Sequence, residues 1–529
     1  MENKRNAIIM AAGMSTRFAP LSYECPKGLL NVKGEVLIER QIRQLHEAGI
    51  SDITVVVGYM KESFMYLKEK FSVEIVVNED YSRYNNTSSV IRVLDKLGDT
   101  YLCSSDNYFP NNVFKGNPTQ SYYSALYQEG ETNEYCLYTD ESDNIVKVEV
   151  GGRDSWYMVG HVYFSKDFSE MFKCILEKEY DRGETRQGYW EDVYLRYVDK
   201  LPKMKVNRYQ PHDIEEFDSL EELRQFDERY INDTGCSIFK NICGILNCNQ
   251  SDIVDINVLK AGMTNNSFVF TCLSDGKKYV YRHPGKGTEA FISRRSEYFS
   301  MSIAKELELD KSFVYMDESE GWKLSLFIDD AHQLDYHNQN ERKKALGLIR
   351  RLHDANAQSE FPYRLWDQAT DFLHKIQKLG KDDASDFYKL HDKIESLYKY
   401  TLADNWGECL NHCDTLAANF LFDKNGDVSL IDWEYSGQGD TAQDIGSFIA
   451  CSDLSYGEAL VAIEEYLGYT PSDKELRHYL AYVAIASYCW YLWAIYQEAN
   501  SVDTGEFLKL WYDYSYLYYK KSIELYRNN

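Results

Sequence analysis

Short apolar segments alternate with a stretch of helical spacing near the start of the chain, and this alternation limits the fold more than any other feature. The apolar runs are residues 6–10, 53–57, 72–77 and 101–105, and residues 37–48 carry apolar side chains three and four positions apart. Such alternation is typical of strand–helix–strand units, whose neighbouring strands are parallel. The sequence therefore predicts an α/β domain built on a doubly wound parallel sheet.

The second half of the chain follows a different pattern. Residues 255–260, 267–273 and 278–282 are predicted strands, the first two joined by a turn at 262–266, and helical spacing dominates after residue 289. Strands first and helices later indicate a two-lobed α+β domain. We expect a first domain over residues 1–232, a linker over 233–250 and a second domain over 251–529 of the 529 residues.

The charge balance excludes some classes of partner. The chain has 58 basic and 84 acidic residues, a net charge of -26. This argues against nonspecific binding to nucleic acid or to an anionic membrane, both of which attract basic surfaces. Twelve cysteines without a CxxC pair are expected to be free thiols, which fits a cytoplasmic protein.

One uncharged stretch, residues 479–496, is close to the minimum length of a membrane-spanning helix. Seven of its 18 residues are Tyr or Trp, side chains that favour the membrane interface over the bilayer centre. We therefore expect a buried helix and no membrane insertion.

A phosphate-binding pattern follows the first apolar run. It consists of Ala11-Ala12-Gly13, then Arg17, and then Lys27 in a Pro-Lys-Gly-Leu-Leu segment. Small residues after a strand let backbone N–H groups approach a phosphate, and Arg17 and Lys27 add two positive charges. Residues 7–30 resemble the signature of the sugar-phosphate and choline-phosphate nucleotidyltransferases, although many members have Gly where Ser15 stands.

That resemblance, over residues 5–230, implies a Rossmann-like fold and transfer of a nucleoside monophosphate from a triphosphate to a phosphorylated acceptor. It also implies acids that hold magnesium. Asp106 follows the run 101–105, where open α/β sheets bind ligands. The second acid is expected in Tyr189-Trp190-Glu191-Asp192, where family spacing favours Asp192 and leaves Glu191 open.

The same family relation suggests nucleotide and acceptor contacts. Asn86 and Ser88 lie in a segment that resembles the base-contacting one, or else form a helix N-cap. Trp156, Tyr189 and Trp190 are candidates for an aromatic cage around a quaternary ammonium group. Core packing is the alternative for each of these aromatic side chains.

A second motif, in the C-terminal half, combines Asp414, Asn419 five residues later, and Asp432 at the end of a predicted strand. Phosphoryl transfer from ATP uses such a set: Asp414 would orient the hydroxyl that is phosphorylated, while Asn419 and Asp432 would hold magnesium on the phosphates. Residues 250–529 resemble the choline/ethanolamine kinase family, which is related to aminoglycoside phosphotransferases and protein kinases.

This second resemblance implies further site residues. Thr264, Asn265 and Asn266 would cover the ATP phosphates, and Arg282 would take the place of the strand lysine of protein kinases, paired with Glu297. A Trp-x-x-Trp segment resembles the family's choline pocket, which Glu434 and Tyr435 could complete as a cationic cage. Its two tryptophans, Trp490 and Trp493, share one helical face.

Together the two halves predict a bifunctional enzyme. The second would make phosphocholine from choline and ATP, and the first would join phosphocholine to CTP, releasing pyrophosphate and CDP-choline. The alternatives are ethanolamine or 2-aminoethylphosphonate as acceptor, an aminoglycoside-type kinase fused to a sugar nucleotidyltransferase, or one half that is a degenerate binding or regulatory module. The sequence leaves the nucleotide base and the formation of a homo-oligomer open.

Overall fold

The structure is a computed structural model that describes residues 5–259, 265–285, 292–381, 387–500 and 504–528. The chain divides into two compact units, Met1–Val258 and Leu259–Asn529. The domain bounds expected from the sequence stay a prediction. Within the expected linker, Ser237–Leu246 forms a helix that buries Ile238, Phe239 and Ile242.

The first unit alternates strands and helices as expected. Its strands are β1 (Asn6–Ala11), β2 (Asn31–Val32), β3 (Glu35–Val36), β4 (Asp52–Val57), β5 (Glu74–Val77), β6 (Thr100–Ser104), β7 (Asn107–Tyr108), β8 (Tyr122–Thr139), β9 (Ile145–Phe164), β10 (Lys205–Arg208), β11 (Glu215–Glu216) and β12 (Ile253–Val258). Its α-helices are α1 (Leu21–Glu24), α2 (Leu37–Glu47), α3 (Tyr66–Phe71), α4 (Thr87–Val90), α5 (Lys166–Glu179), α6 (Gly183–Gln187), α7 (Trp190–Tyr197), α8 (Leu220–Phe226), α9 (Arg229–Asn232) and α10 (Ser237–Leu246). Short 3₁₀ helices include Thr16–Phe18 and Lys27–Leu29.

The main sheet of the first unit has the order β10-β8-β9-β6-β1-β4-β5. Strands β6, β1, β4 and β5 are parallel, whereas β9 runs antiparallel to both β6 and β8. The sheet is therefore mixed, because the long β8–β9 hairpin extends the parallel part that the sequence predicted. Both faces are covered: Ile8 belongs to one apolar core and Ile9 to another, in which it packs with Ile38 and Ile42 of α2.

The second unit begins with strands and continues mainly with helices. Its strands are β13 (Asn265–Cys272), β14 (Lys277–Pro284), β15 (Phe313–Met316), β16 (Lys323–Leu326), β17 (His332–Gln333), β18 (Glu408–Asn411), β19 (Phe420–Phe422), β20 (Val428–Leu430) and β21 (Gly437–Asp440). Its helices are α11 (Arg294–Glu306), α12 (Gln339–Asp354), α13 (Leu365–Lys378), α14 (Phe387–Ala403), α15 (Ala442–Ala450), α16 (Tyr456–Leu467), α17 (Asp473–Ala499) and α18 (Phe507–Asn528), with a 3₁₀ turn at Ala417–Asn419.

Strands β13, β14, β16 and β15 pair antiparallel in that order, and β19 and β20 form a separate hairpin.

Helix α17 occupies the centre of the helical part. The uncharged stretch 479–496 lies in α17, which is buried on all sides from His478 to Leu492, as expected of a core helix. Of the helices in the described residues, none has both the length and the apolar character needed to cross a membrane.

Candidate active sites

A cleft of about 490 Å³ opens at the carboxyl edge of the parallel strands in the first unit. Because β1 and β6 are parallel neighbours, the loop after Ala11 and Asp106, two residues beyond β6, reach the same edge of the sheet. The predicted loop residues Ala11, Ala12, Gly13 and Arg17 all line this cleft. The predicted phosphate loop and Asp106 therefore lie in the same cleft.

Lys27 and Asp106 form an ion pair on the floor of the cleft. Their side-chain nitrogen and oxygen are 2.8 Å apart, and Lys27 is buried while Asp106 stays partly exposed. Burial alone would lower the pKa of Lys27, but the attraction of Asp106 raises it, so the ammonium stays charged. At Gly28 a Cβ would lie 2.7 Å from Ser105 Oγ, which explains why glycine follows the lysine.

Two further acids line the cleft, Glu216 and Asp218, and sequence reasoning missed both. Glu216 lies on β11, opposite Asn107, and stays in contact with water. Its enclosure in the cleft and the charge of Asp106 raise the pKa of Glu216 to about 8. Asp218 forms an ion pair with the exposed Arg17, with side-chain nitrogen and oxygen 3.1 Å apart. In the sequence these acids belong to an acidic segment with helical spacing, in which nothing distinguishes them from solvated side chains.

Glu191 and Asp192, the two candidates for the second metal ligand, lie in different surroundings. Asp192 accepts hydrogen bonds from the Tyr189 backbone N–H (2.8 Å) and from the Tyr135 hydroxyl (3.1 Å). The first of these bonds caps the start of α7. Glu191 lines the cleft and is held by Asn86 and the Tyr123 hydroxyl, both at 3.2 Å. Burial raises the pKa of Glu191 to about 7. The cleft therefore receives Glu191, whereas Asp192 is a helix-capping residue.

The predicted base-contacting residues also differ from each other. Asn86 lines the cleft, and its side-chain amide oxygen accepts a hydrogen bond of 2.8 Å from the Trp190 backbone N–H. Ser88 is fully buried and donates to the Asn85 carbonyl oxygen at 2.7 Å. The neighbouring Ser89 is the serine that lines the cleft in its place.

Of the three predicted cage residues, Tyr189 and Trp190 line the cleft and Trp156 does not. Tyr189 lines the cleft and is 46% exposed, so its ring is available to a ligand. Trp190 is buried and stacks on Tyr123 with ring centroids 5.8 Å apart. Trp156 lies on β9 under the guanidinium of Arg208, 5.3 Å from its ring, and is not among the residues that line the cleft.

In the second unit the predicted phosphoryl-transfer residues lie together at the ends of β18 and β20. The Asn419 amide donates to the Asp414 carboxylate at 3.0 Å and to the Asp414 carbonyl oxygen at 2.8 Å. Burial and the nearby charge of Asp432 raise the pKa of Asp414 to about 8. A carboxylate with a raised pKa is a stronger base than an exposed one.

Asp444, at the start of α15, organises the loop before Asp414 and was missed by sequence reasoning. Its carboxylate accepts the backbone N–H groups of His412 (3.0 Å) and Cys413 (2.6 Å) and lies 3.0 Å from His353 Nε2. Burial would raise the pKa of Asp444, but the contact with His353 and these hydrogen bonds lower it. A buried carboxylate thus fixes the backbone of the catalytic loop.

Arg282 is buried and connects three carboxylates. Its guanidinium is paired with Glu297, lies 3.2 Å from Asp432 and lies 3.6 Å from Glu434. Glu297 is fully buried and also contacts Arg294 at 3.2 Å. The predicted pair of Arg282 and Glu297 is therefore present, and it reaches the predicted metal ligand Asp432.

The remaining predicted nucleotide contacts lie on β13. The Asn265 amide donates to the Glu434 carboxylate at 2.9 Å, and Asn266 is paired in register with His283. Thr264 lies outside the described residues. Glu434 is therefore tied to Asn265 and to Arg282, and its charge is already balanced within the protein.

The predicted aromatic residues of the second unit do form a cluster. The Trp490 ring lies 6.4 Å from that of Tyr435 and 6.3 Å from that of Trp493, both edge-on. Trp511 of α18, not found from the sequence, lies 6.1 Å from Trp493. Burial, together with the nearby charges of Glu434 and Asp414, raises the pKa of the Tyr435 hydroxyl. Aromatic rings therefore lie beside the phosphoryl-transfer carboxylate.

Both sites offer hard oxygen donors, which suit magnesium. These are Asp106 and Glu216 in the first unit, and Asn419 and Asp432 in the second. Within the described ranges no group of three or more His, Cys, Asp or Glu side chains is placed to hold a metal ion. Magnesium would thus complete its coordination with nucleotide phosphate oxygens, as it commonly does.

Comparisons with known proteins agree with this division. The MobA-like NTP transferase domain family matches residues 7–109, and the choline/ethanolamine kinase family matches residues 256–487. A 2-aminoethylphosphonate cytidylyltransferase of Lancefieldella rimae is 37% identical over 43% of this chain and 94% of its own. A choline-phosphate cytidylyltransferase of Streptococcus pneumoniae is 35% identical over 42% of this chain and 96% of its own.

The second half has its own relative, Protein LicA of Haemophilus influenzae, which is 26% identical over 46% of this chain and 94% of its own. Lys27 and Asp106 lie within residues 7–109, the part of the chain that the MobA-like NTP transferase domain family matches. The chain therefore belongs to the cytidylyltransferase family through its first unit, carries a choline/ethanolamine kinase domain in its second, and is a transferase that joins a nucleotidyltransferase to a phosphotransferase.

Proposed function

We propose that this enzyme makes CDP-choline in two steps. The second unit transfers the γ-phosphoryl group of ATP to choline, and the first unit transfers CMP from CTP to the resulting phosphocholine and releases pyrophosphate. The observation that carries the proposal is the aromatic cluster of Tyr435, Trp490 and Trp493 beside Asp414. Aromatic faces attract quaternary ammonium groups, and a carboxylate base next to them suits an alcohol with a cationic head.

In the first unit the reaction needs charge and alignment more than proton transfer. A phosphate oxygen of phosphocholine attacks the α-phosphorus of CTP, and the bond to pyrophosphate breaks. Lys27 is held charged by Asp106, and Arg17 adds a mobile charge, so both can stabilise the negative charge that grows on the phosphates. Asp106 and Glu216 would hold magnesium, which supplies further neutralisation when bound.

The ammonium end of phosphocholine would contact Tyr189 and Glu191. Tyr189 offers an exposed ring in the cleft, and Glu191 lies next to it. An ammonium near Glu191 would lower the raised pKa of this carboxyl group and keep it ionised. In this arrangement Asp192 supports the site through its cap on α7, and Glu216 is the second carboxylate that would hold magnesium.

In the second unit Asp414 accepts the proton of the choline hydroxyl as its oxygen attacks the γ-phosphorus of ATP, and ADP leaves. Asn419 orients the Asp414 carboxylate and, with Asp432, would hold magnesium on the phosphates. Arg282 lies next to Asp432 and can contact phosphate oxygens once ATP is bound.

A second candidate, 2-aminoethylphosphonate as acceptor of the first unit, is favoured by the relative that bears this name. A phosphonate already carries its phosphorus, however, and needs no kinase. Because a choline/ethanolamine kinase domain is present in the same chain, a phosphorylated alcohol is the better acceptor. Ethanolamine differs from choline in needing directed hydrogen bonds at its ammonium group.

The test is a set of reactions in which ADP and pyrophosphate are measured separately. The full chain is given magnesium and ATP with choline or ethanolamine, and magnesium and CTP with phosphocholine, phosphoethanolamine or 2-aminoethylphosphonate. We expect the highest kcat/KM with choline and with phosphocholine, and no product after chelation of magnesium. A preference for 2-aminoethylphosphonate in the first unit, or no ADP with choline, would contradict the proposal.

A further inference from the structure

One buried hydroxyl connects the aromatic cluster with the catalytic loop of the kinase unit. Ser447 lies in α15 and is fully buried. Its Oγ donates a hydrogen bond to the Cys413 carbonyl oxygen at 3.0 Å and accepts one from the Trp490 indole N–H at 3.1 Å. Cys413 immediately precedes Asp414, so two hydrogen bonds join a ring of the ammonium pocket to the residue before the base.

The backbone of Cys413 needs such support. Its φ of 67° lies in the left-handed region, which costs free energy for any residue other than glycine. The Cys413 N–H donates to Asp444 at 2.6 Å, and the carbonyl oxygen accepts from Ser447. Hydrogen bonds on both sides of this residue thus fix the direction in which the chain enters Asp414.

The position of Ser447 depends on a close approach of two helices. A Cβ on the preceding Gly446 would lie 2.5 Å from the Tyr482 carbonyl oxygen of α17. Glycine therefore allows α15 and α17 to pack closely, and the next residue, Ser447, comes within hydrogen-bond distance of Trp490 on the same helix α17. The contact is built by backbone packing and does not rest on a chance side-chain orientation.

We propose that Ser447 is a positioning residue that couples occupation of the ammonium pocket to the orientation of Asp414. This inference rests on the proposed kinase function. A hydroxyl suits the role because it donates and accepts at once. When a ligand packs against Trp490, the ring is fixed, its N–H holds the Ser447 hydroxyl in orientation, and the hydroxyl in turn holds the Cys413 carbonyl group.

Removal of the hydroxyl leaves two buried polar groups without their partner, the Cys413 carbonyl and the Trp490 N–H. For Ser447→Ala we expect kinase kcat to fall about 10- to 100-fold, because a small displacement of a catalytic group has effects of this size. The KM for choline should rise a few-fold, since Trp490 loses its anchor, roughly in line with one lost hydrogen bond. The KM for ATP should not change.

Two further variants separate positioning from general damage. Ser447→Cys keeps a side chain of similar size with a weaker hydrogen-bond donor, and its kcat should lie between those of the wild type and Ser447→Ala. Ser487→Ala is the matched control: Ser487 is also a buried serine of the second unit, but its hydroxyl donates only to Val483 of its own helix at 2.7 Å. Its kcat should stay within about twofold of the wild type, as expected for a group outside the catalytic loop.

Hydrogen exchange of the peptide that covers residues 409–416 provides a readout that does not need activity. It should become faster in Ser447→Ala and stay unchanged in Ser487→Ala, while an unchanged KM for ATP confirms that the second unit of both variants is folded. If the wild type fails to phosphorylate choline but exchange still rises, the proposed substrate is wrong and the positioning role stands. Unchanged exchange and unchanged kcat in Ser447→Ala, or equal losses in both alanine variants, would overturn it.

Discussion

The two candidate sites of this chain handle phosphate with differently arranged charges. In the cytidylyltransferase cleft Arg17 has 76% of its side chain exposed, and its partner Asp218 is also well exposed. In the kinase unit Arg282 and Glu297 are both almost fully buried and already paired. An exposed pair is screened by water and salt, whereas a buried pair keeps its geometry before the nucleotide arrives. The first site therefore gains order from its substrate, and the second holds much of its order in advance.

The largest effect is expected where the preformed site holds its base. Asp414→Asn keeps the shape of the side chain and its contact with Asn419 but removes the basic oxygen. Kinase kcat should fall about 10³-fold, within the usual range for loss of a general base. Release of ADP with choline measures the change, and release of pyrophosphate from CTP and phosphocholine should stay at the wild-type rate. A fall in both rates would remove the distinction between two separately built sites.

In the first site Lys27 and Asp106 form a pair before any substrate binds. Lys27→Met keeps nearly the length of the side chain and removes its positive charge. The negative charge that grows on the phosphates then loses the cation that stabilises it. We expect cytidylyl transfer to fall about 10²-fold or more, as for loss of one electrostatic contact in an active site. Arg17→Met is the matched change at the exposed cation, and it should cost less. Equal losses would mean that preorganisation gives Lys27 no advantage.

Arg282 and Arg17 should differ in how much each contributes to the free energy of unfolding. Arg282→Ala leaves Glu297 buried without its main partner, which should cost about 3 kcal/mol in the free energy of unfolding of the kinase unit. Arg17→Ala breaks an exposed pair and should cost less than about 1 kcal/mol. Denaturant titrations of the full chain, followed through loss of each activity, would measure both values. Comparable costs would contradict the contrast in burial.

The smallest effect concerns pH and the first unit alone. His161 is buried among aromatic rings, and burial lowers its pKa to about 3. As pH falls below the ordinary histidine pKa, the unfolded chain takes up a proton that the folded unit does not, so stability decreases. The loss is about 1.4 kcal/mol per pH unit between the two pKa values. Thermal inactivation of cytidylyl transfer at pH 7 and pH 5 should be compared between the wild type and His161→Gln. Glu191 and Glu216, whose pKa values are raised, change stability in the opposite direction in both proteins, so the difference between the two proteins reports on His161.

The sequence predicted much of this architecture, since short apolar strands and spaced motifs report local structure. The α/β first domain and the two-lobed second domain are confirmed, and the two family resemblances with them. The mixed sheet was missed because polar and exposed residues interrupt both long strands, at 128–134 in β8 and at 151–155 in β9. Neither strand is therefore one short apolar run of the kind that marked the parallel strands.

The site residues that were missed lie far along the chain from the motifs whose sites they join. Glu216 reaches the cleft through pairing of β11 with β7, and Asp444 reaches the catalytic loop from the next helix. Neither belongs to a local motif, so only tertiary packing identifies them. Trp156, a candidate for the ammonium cage, lies on a strand that brings it to Tyr127 and Arg208, and its role in ammonium binding stays a prediction.

The pairing of β11 with β7 also has a consequence for the order in which the enzyme is made. The phosphate loop and Asp106 leave the ribosome early, but Glu216 and Asp218 follow only after more than a hundred residues. At ordinary rates of translation the nascent chain waits roughly 5–20 s for them. During that interval strand β8 lacks its neighbour β10, and the cleft lacks two of its acids. The part of the active site that is made first therefore becomes complete only once β11 and Asp218 have been synthesised.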